Sequence, residues 1–220
     1  MYVPNHFAAG DDDVRNLLEN HGAADLVTVT ADGLLATFLP FVFDPSVGEQ
    51  GTLLGHVARN NDQWRRPPIG PPETNALVIV RGPDAYVSPS WYAAKAEHGR
   101  VVPTWNYVTA HVYGSLVIHD DPVWLEALVR RLTDRHERGS ERPWTVDDAP
   151  PRFVQGQLRA IVGVEVVISR IEAKLKLSQN RPAADIDGVI AGLTERGQDV
   201  VATAVADARP SGSHNSCHQR

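Results

Sequence analysis

Four short stretches of this sequence carry side chains that could bind a small molecule. In the first, residues 34–44 (LLATFLPFVFD), Pro40 interrupts a β-rich run. Proline cannot donate to a β-ladder, so it marks a strand edge or a bulge, where neighbouring backbone groups are free for a ligand. A kinked edge strand without any ligand accounts for the same pattern.

The second stretch, residues 53–64 (LLGHVARNNDQW), has features of a phosphate site. We expect a strand to end here and a short helix, RNNDQWRR, to begin. Four polar residues lie near the predicted start of that helix: His56, Arg59, Asn60 and Asn61. Helix N-termini present unpaired N–H groups to anions, and the guanidinium fork of arginine suits phosphate. Trp64 could cover such a site, but a capped surface helix with an exposed arginine is the alternative.

The third stretch, residues 82–95, places hydroxyl, aromatic and cationic side chains within eight residues: Ser88, Ser90, Trp91, Tyr92 and Lys95. These groups could line a pocket. The serines could instead satisfy N–H groups of a turn, and the tryptophan could belong to the core.

The fourth stretch, residues 102–114 (VPTWNYVTAHVYG), is predicted to be a strand with two different faces, because successive side chains of a strand alternate. One face is aromatic and polar: Trp105, Tyr107, Thr109, His111 and Tyr113. The other face is small and mostly apolar, as expected of a core: Asn106, Val108, Ala110 and Val112. The aromatic face could pack across strands, form a subunit interface or lie against a planar ligand.

Several common catalytic and cofactor motifs are absent from the sequence. It has no GxxxxGK[ST], GxGxxG, GxSxG or HExxH motif and no paired CxxC. We therefore predict no catalytic residue and no metal centre. His214, Cys217 and His218 could weakly hold a soft metal, although a solvated tail is the simpler interpretation.

The composition indicates a soluble protein of the cytoplasm. The formal net charge of −6 makes the chain a poor general binder of polyanions, which need clustered Lys and Arg. The single cysteine, Cys217, excludes an intramolecular disulfide. The N-terminus has no signal-peptide pattern, and no apolar run approaches the ~20 residues that span a bilayer.

The elements that must position these stretches are mostly strands joined by tight turns. Asp32-Gly33 predicts a two-residue hairpin, and Gly82-Pro83-Asp84 predicts a turn between two further strands. The clearest helix follows Asp121, and a long strand precedes two C-terminal helices. We predict an α+β chain that is mainly antiparallel β, a barrel with peripheral helices, as a single domain over 1–208 with a disordered tail at 209–220.

These motifs, taken together and in order, resemble the PaiB family of FMN-binding negative transcriptional regulators. The matching segments are MYVPNHF at 1–7, LPF at 39–41, GHVARNNDQW at 55–64, GPDAYVSPSWY at 82–92, VPTWNYVTAHVYG at 102–114 and KLSQNR at 176–181. Their rare residues recur at fixed spacing from the first residue to about residue 200.

The resemblance implies an FMN-binding split β-barrel, related to pyridoxamine-phosphate oxidases, that works as a homodimer with FMN at the dimer interface. It implies three groups of cofactor-binding residues: Thr37, Phe38 and Leu39 along the flavin; His56, Arg59, Asn60, Asn61 and Trp64 around its phosphate; and Ser88, Trp91, Trp105 and Tyr107 as further contacts. The family often has proline where this chain has Asp62. An inward-pointing Asp62 would weaken FMN binding by charge repulsion, whereas an outward-pointing one would not.

The resemblance also implies negative regulation of transcription. Because the acidic charge does not suit direct binding to DNA, regulation could be indirect, through a regulatory protein or through flavin or redox state. An FMN-dependent oxidoreductase and a carrier of flavin or haem are the alternatives, and no membrane partner is expected. The motif at 176–181 ends a strand with two cations, which could close the barrel or meet an anionic ligand.

Overall fold

A computed structural model describes residues 1–20 and 22–210 of the 220-residue chain. It contains six strands in this part of the chain: β1 (Ala23–Thr30), β2 (Gly33–Asp44), β3 (Thr52–Ala58), β4 (Ala76–Val87), β5 (Thr104–His119) and β6 (Ile161–Lys176). Its α-helices are α1 (Asp11–Asn20), α2 (Ala94–His98), α3 (Pro122–Glu137), α4 (Pro151–Leu158), α5 (Ala183–Glu195) and α6 (Asp199–Asp207).

The strands close into a barrel in the order β1-β2-β3-β6-β5-β4. β2 pairs antiparallel with β1 and β3, and the ladders β1–β4 and β3–β6 are antiparallel as well. The predicted antiparallel barrel with peripheral helices is therefore confirmed. Among the described residues, no helix combines the length and the apolar character that crossing a bilayer would require.

Local signals correctly predict several elements. Thr30 pairs with Gly33 across the Asp32-Gly33 turn, and Gly33 has a φ of 115°, which glycine adopts without strain. Asp121 caps α3 by accepting a hydrogen bond from the Trp124 N–H at 3.0 Å. The hairpin β1–β2 and the long helix α3 are thus direct consequences of their turn and cap residues.

Two predictions of local structure are wrong. The turn predicted at Gly82-Pro83-Asp84 does not break the chain, because β4 runs through it as one strand. Buried residues on both sides, Val80 before it and Ala85 after it, hold the extended backbone, so packing overrides the turn signal.

The helix predicted for residues 59–66 is also wrong. Only Asp62–Arg65 are helical, as a single 3-10 turn that the Asn61 side chain caps by accepting from the Gln63 N–H. Prolines at 67 and 68 follow at once and prevent a continuation. A single turn of this length offers few free N–H groups to an anion.

The faces of β5 are as predicted. Asn106, Ala110 and Val112 are fully buried, whereas Trp105 on the opposite face is 48% exposed. The alternation follows from the two-residue period of a strand with one face in a core.

The chain divides into two compact units. The first comprises Met1, Gly10–Arg81 and Ala110–Glu172, and the second comprises Tyr2–Ala9, Gly82–Thr109 and the described residues from 173 on. In the first unit, Leu128 and Leu132 of α3 pack on Val42 and Leu54. In the second unit, α5 and α6 share a core with the end of β4.

The prediction of one domain over 1–208 stays a prediction. Residues 211–220 of the predicted tail lie outside the described residues, and so do the three candidate metal ligands in it.

Candidate functional site

The β2–β3 ladder ends beside Pro40. Its register joins residues 41–44 to residues 52–55, beginning at Phe41 and Gly55. Towards its other end, β2 pairs with β1 from Gly33 to Pro40. The β2–β3 ladder therefore stops beside the residue that lacks an N–H, and the Thr37–Leu39 segment borders this opening.

Side chains of the loop after β3 form hydrogen bonds with this segment of β2. The Asn61 Nδ2 donates to the Thr37 Oγ1 at 2.9 Å, and the same hydroxyl donates to the Gln63 Oε1 at 2.5 Å. Thr37 and Asn61, two of the predicted site residues, are thus brought into direct contact. Gln63, which sequence reasoning missed, joins them.

Gln63 is the least exposed of these three residues, at 4%. Its Nε2 donates to the Leu26 carbonyl at 3.1 Å, the Thr28 Oγ1 at 3.0 Å and the Leu35 carbonyl at 3.4 Å. The side chain therefore ties β1 and β2 together beneath the loop. Because its partners lie 26 to 37 residues away in sequence, no local pattern could have identified it.

Phe38 and Leu39 lie on opposite faces of β2. Phe38 is 70% exposed, which is unusual for a phenylalanine within a strand, and Leu39 is 4% exposed. Phe38 thus offers an accessible aromatic ring beside the end of the ladder, while Leu39 supports the strand from the core.

His56 lies near the end of β3. Its Nδ1 atom is buried, and no described residue forms a hydrogen bond with it. Burial lowers the pKa of His56, which keeps the imidazole neutral near pH 7. The ring therefore has an unused polar atom within the fold.

The Arg59 side chain forms an ion pair with Asp120 and hydrogen bonds with two backbone carbonyls. Its Nη1 donates to Asp120 Oδ2 at 3.0 Å, and its Nη2 makes a shorter contact with Asp120 Oδ1. Its Nε donates to the Arg159 carbonyl at 2.6 Å, and Nη2 also reaches the Ile161 carbonyl at 3.0 Å. The arginine lowers the pKa of Asp120 through these hydrogen bonds and its charge.

Arg59 and Asp120 line a cavity of about 610 Å³ in the first unit. Its other polar side chains are Glu126, Gln155 and Arg159, and valine and leucine side chains form most of the remainder. The volume is that of a typical small-molecule site, roughly 300–1,000 Å³. The lining of this cavity contains two cationic side chains, Arg59 and Arg159, and two anionic ones, Asp120 and Glu126.

The remaining residues of the loop after β3 form a charged surface. Asn60 is exposed, and the Trp64 Nε1 donates to the Arg59 carbonyl at 2.9 Å with the Arg65 guanidinium 5.0 Å from the Trp64 ring centre. Asp62 points outward, with its side chain 61% exposed, and pairs with Arg65 at 3.3 Å and Arg66 at 3.7 Å. The inward orientation that would repel a phosphate is therefore not adopted.

The other predicted contacts lie in the second unit, where two of them have local structural roles. Ser88 caps the short turn Pro89–Trp91 by accepting from the Ser90 N–H at 3.2 Å. Trp91 packs against Gly192 of α5, and the Arg196 guanidinium lies 4.7 Å from the Trp91 ring centre.

Trp105 and Tyr107 lie on the aromatic face of β5. The Trp105 Nε1 donates to Asp84 Oδ1 at 2.8 Å, and the Trp105 ring meets Tyr86 edge-on at 6.3 Å. The Lys174 Nζ lies 5.6 Å from the Tyr107 ring centre, within range of a cation–π contact. The predicted residues therefore fall into two groups, one in each unit.

Comparison with known proteins identifies relatives of this chain. Residues 1–170 match the family described as "Putative FMN-binding domain". The chain is 31% identical over 191 residues to the Protease synthase and sporulation protein PAI 2 of Bacillus subtilis, covering 86% of this chain and 87% of that protein.

Solved structures share the fold. The FAD and heme binding protein of Mycobacterium smegmatis superposes with a TM-score of 0.54 at 18% identity, covering 86% of this chain and 80% of that one. The flavocytochrome Anf3 of Azotobacter vinelandii superposes with a TM-score of 0.53 at 14% identity, covering 79% and 72%. The predicted split-barrel fold class is confirmed.

Proposed function

Because this chain belongs to the family of FMN-binding domains that its residues 1–170 match, we propose that it is an FMN-dependent homodimeric regulator that acts on transcription indirectly. FMN is the cofactor of the family, so the question for this chain is which of its residues hold the flavin. The site at the end of the β2–β3 ladder is the proposed location.

The residues present there fit a phosphorylated flavin. The ladder ends beside Pro40, next to the exposed ring of Phe38, and the buried Nδ1 of His56 lacks a partner among the described residues. Arg59 and Arg65 supply guanidinium groups that suit a phosphate. FMN supplies electron-transfer chemistry when bound, and the protein's contribution is position and electrostatics.

Each side chain has a distinct part in this proposal. Phe38 packs against the isoalloxazine ring, while Thr37 is held in place by Asn61 and Gln63 so that the β2 backbone stays extended. Arg59 binds the phosphate in exchange for part of its pairing with Asp120. The single observation that carries the proposal is the interrupted ladder next to an exposed aromatic ring.

The regulatory and dimeric parts of the proposal rest on different support. The name of the relative that is 31% identical links it to protease synthesis and sporulation, and we extend a regulatory role from it to this chain. The exposed apolar side chains of β2, Leu34 at 71% and Phe38 at 70%, offer a surface that a second copy would cover. The net charge of −6 argues for an indirect effect on DNA.

The flavin site is tested by titrating the purified protein with FMN and following quenching of flavin fluorescence. Phe38→Ala should weaken binding by about tenfold, the equivalent of ~1.4 kcal/mol, because it removes the ring contact without opening a core cavity. Phe153→Ala on α4 is the matched control, the same residue type at an exposed position (58%) outside β2, and should change affinity by less than about twofold. Equal losses in both variants would refute the proposed location.

The regulatory role is tested on the FMN-loaded protein. Sedimentation should give a dimer, and retention on DNA at low salt should be absent. Salt-dependent retention of the protein on DNA would contradict the proposed indirect action and favour direct binding to DNA. Rapid oxidation of a reduced nicotinamide in the presence of FMN would favour the oxidoreductase alternative over a regulator.

A further inference from the structure

The second unit contains a small polar cavity that the proposed flavin site does not use. Its volume is about 110 Å³, and its polar lining is Tyr92, Thr104, Asn106, Lys176, Ser178, Asn180 and Arg181. Four of these seven residues belong to the segment 176–181, KLSQNR, which has no part in the proposed flavin site.

The cavity carries positive charge that the described residues do not neutralise. Lys176 and Arg181 line it, and Lys174 lies two residues before Lys176 on β6. None of the ion pairs formed within residues 1–20 and 22–210 includes any of these three cations. Burial lowers the pKa of Lys176, and the charges of Lys174 and Arg181 lower it further. Lys176 and Arg181, the two cations of the lining, therefore favour an anion in the cavity.

A buried hydroxyl belongs to the same cavity. Tyr92 is 3% exposed, and its hydroxyl has no hydrogen-bond partner in the described part of the chain. The Arg181 guanidinium lies 4.6 Å from the centre of the Tyr92 ring. Burial raises the pKa of Tyr92; the charge of Arg181 lowers it and the charge of the buried Asp185 raises it, so the O–H remains a donor at neutral pH. A buried donor without an acceptor is costly, and a bound oxygen atom would satisfy it.

The backbone around the cavity is held in an uncommon conformation. Ser178 has a φ of 68° and is the only residue other than glycine with a positive φ in the described ranges. Its hydroxyl exchanges hydrogen bonds with the Asn106 side chain at 3.0 and 3.2 Å, and its carbonyl accepts from the Arg181 N–H at 2.9 Å. Strained residues persist only where their surroundings fix them, and they cluster at ligand sites.

We propose that this cavity binds a phosphoryl group of a small molecule. Lys176, Arg181 and Tyr92 line a space of about 110 Å³, which is large enough for a tetrahedral oxyanion and too small for a flavin ring. A doubly charged phosphoryl group offsets two cations, which a carboxylate does only in part. The inference does not depend on where the flavin binds.

The direct test is calorimetry of the full chain with inorganic phosphate, at ionic strength held constant with chloride. The wild-type protein should bind one phosphate. Arg181→Gln and Lys176→Met should each weaken binding by more than about tenfold, and Tyr92→Phe, which removes one oxygen atom, by about threefold to tenfold. Arg196→Gln is the control, because this arginine belongs to the same unit but lies over Trp91 and outside the cavity.

Two results would overturn the inference: no binding of phosphate by the wild-type protein, or equal binding by the wild type and all three cavity variants. Melting temperatures identify a variant that fails to fold. Arg181→Lys then serves as the second variant, since it keeps the charge and should retain part of the affinity that Arg181→Gln loses.

Competition between phosphate and two flavins, FMN and riboflavin, shows which molecule carries the phosphoryl group that occupies the cavity. A separate phosphorylated ligand is expected, so that saturating phosphate and the Arg181→Gln substitution leave FMN affinity unchanged. If phosphate competes with FMN but not with riboflavin, and Arg181→Gln weakens only FMN, the flavin's own phosphate occupies the cavity. That result would overturn the claim of a separate ligand and the assignment of the FMN phosphate to Arg59.

Discussion

Arg59 and Asp120, 61 residues apart in sequence, form an ion pair through both guanidinium Nη atoms, with Nη1 lying 3.0 Å from Oδ2. The pair lines the cavity of about 610 Å³, with the Arg59 side chain 32% and the Asp120 side chain 54% exposed. A guanidinium that binds a phosphate here must compete with its own carboxylate. We therefore expect Asp120 to tune the affinity of the proposed phosphate site.

Opposite effects are expected for the two partners of this pair. Arg59→Gln should weaken FMN binding by about tenfold, since it removes a charge-assisted contact with the phosphate, and should leave riboflavin binding unchanged. Asp120→Asn should strengthen FMN binding, because it frees the guanidinium. Fluorescence titration with both flavins measures these changes. Arg142→Gln is the control, because this exposed arginine forms no ion pair with the described residues of its unit. Weaker FMN binding in Asp120→Asn would show that the pair has only a structural role.

Acid should destabilise the protein through His56. Burial lowers the pKa of this residue in the folded chain, while the unfolded value is about 6.5. Below that value the unfolded chain binds a proton that the folded chain resists, so the free energy of unfolding falls as pH falls from about 6.5 towards the folded pKa. Urea unfolding between pH 7.5 and about 5 measures this slope.

The contribution of His56 can be separated from that of His111, whose pKa is also lowered, first by burial and then by the N-terminal charge. His56→Gln should reduce the slope without removing it. His136→Gln, at an exposed histidine, should leave it as in the wild type. An unchanged slope in His56→Gln would mean that His56 titrates alike in the folded and unfolded chains.

Two glycines predict opposite responses to the same substitution. At Gly188 of α5, a Cβ atom would lie 1.9 Å from the Trp91 carbonyl oxygen, so Gly188→Ala should lower the free energy of unfolding by about 1–3 kcal/mol. At Gly156 of α4, a Cβ atom meets nothing within 4 Å, and Gly156→Ala should raise it by about 0.5–1 kcal/mol. Denaturant unfolding measures both. A neutral Gly188→Ala would mean that Trp91 is not held against α5 and is free for a ligand.

The sequence predicts features that depend on near neighbours. The Asp32-Gly33 turn, the Asp121 cap and the alternation of β5 each involve residues within a few positions of one another, and all three are confirmed. The turn at Gly82-Pro83-Asp84 fails because buried residues on both sides keep β4 extended. Local propensity is decisive only where packing does not oppose it.

The candidate site was less predictable, because its residues contact residues that are distant in sequence. Arg59 follows the phosphate pattern, but its pairing with Asp120 depends on how α3 begins. Trp91 belongs to a stretch that could line a pocket or join the core, and its ring packs on Gly192, 101 positions further along the chain. The resemblance to a family predicts the fold and the cofactor. The hydrogen-bond partners of the candidate site residues depend on the tertiary structure, so the sequence does not predict them.

Gln63 allows the most stringent test of the network behind the proposed flavin site. Its Nε2 is the donor to the Leu26 and Leu35 carbonyls, so Gln63→Glu would place a second acceptor against two acceptors at a position that is 4% exposed. Each buried group left without a partner costs about 1–3 kcal/mol. We expect a large loss of stability at neutral pH.

The loss should also depend on pH in a defined direction. Burial and the facing carbonyls would raise the pKa of the introduced carboxyl in the folded chain above its unfolded value of about 4.3. The folded chain then binds more protons than the unfolded chain, so the loss is present above the folded pKa and is relieved as pH falls towards about 4. Gln50→Glu, at an exposed position whose Nε2 donates to the Ser169 carbonyl, is the matched control and should show little of this dependence. If urea unfolding gave parallel pH profiles for the two variants, Gln63 could not be the buried donor that ties β1 to β2, and Thr37 would lose its support.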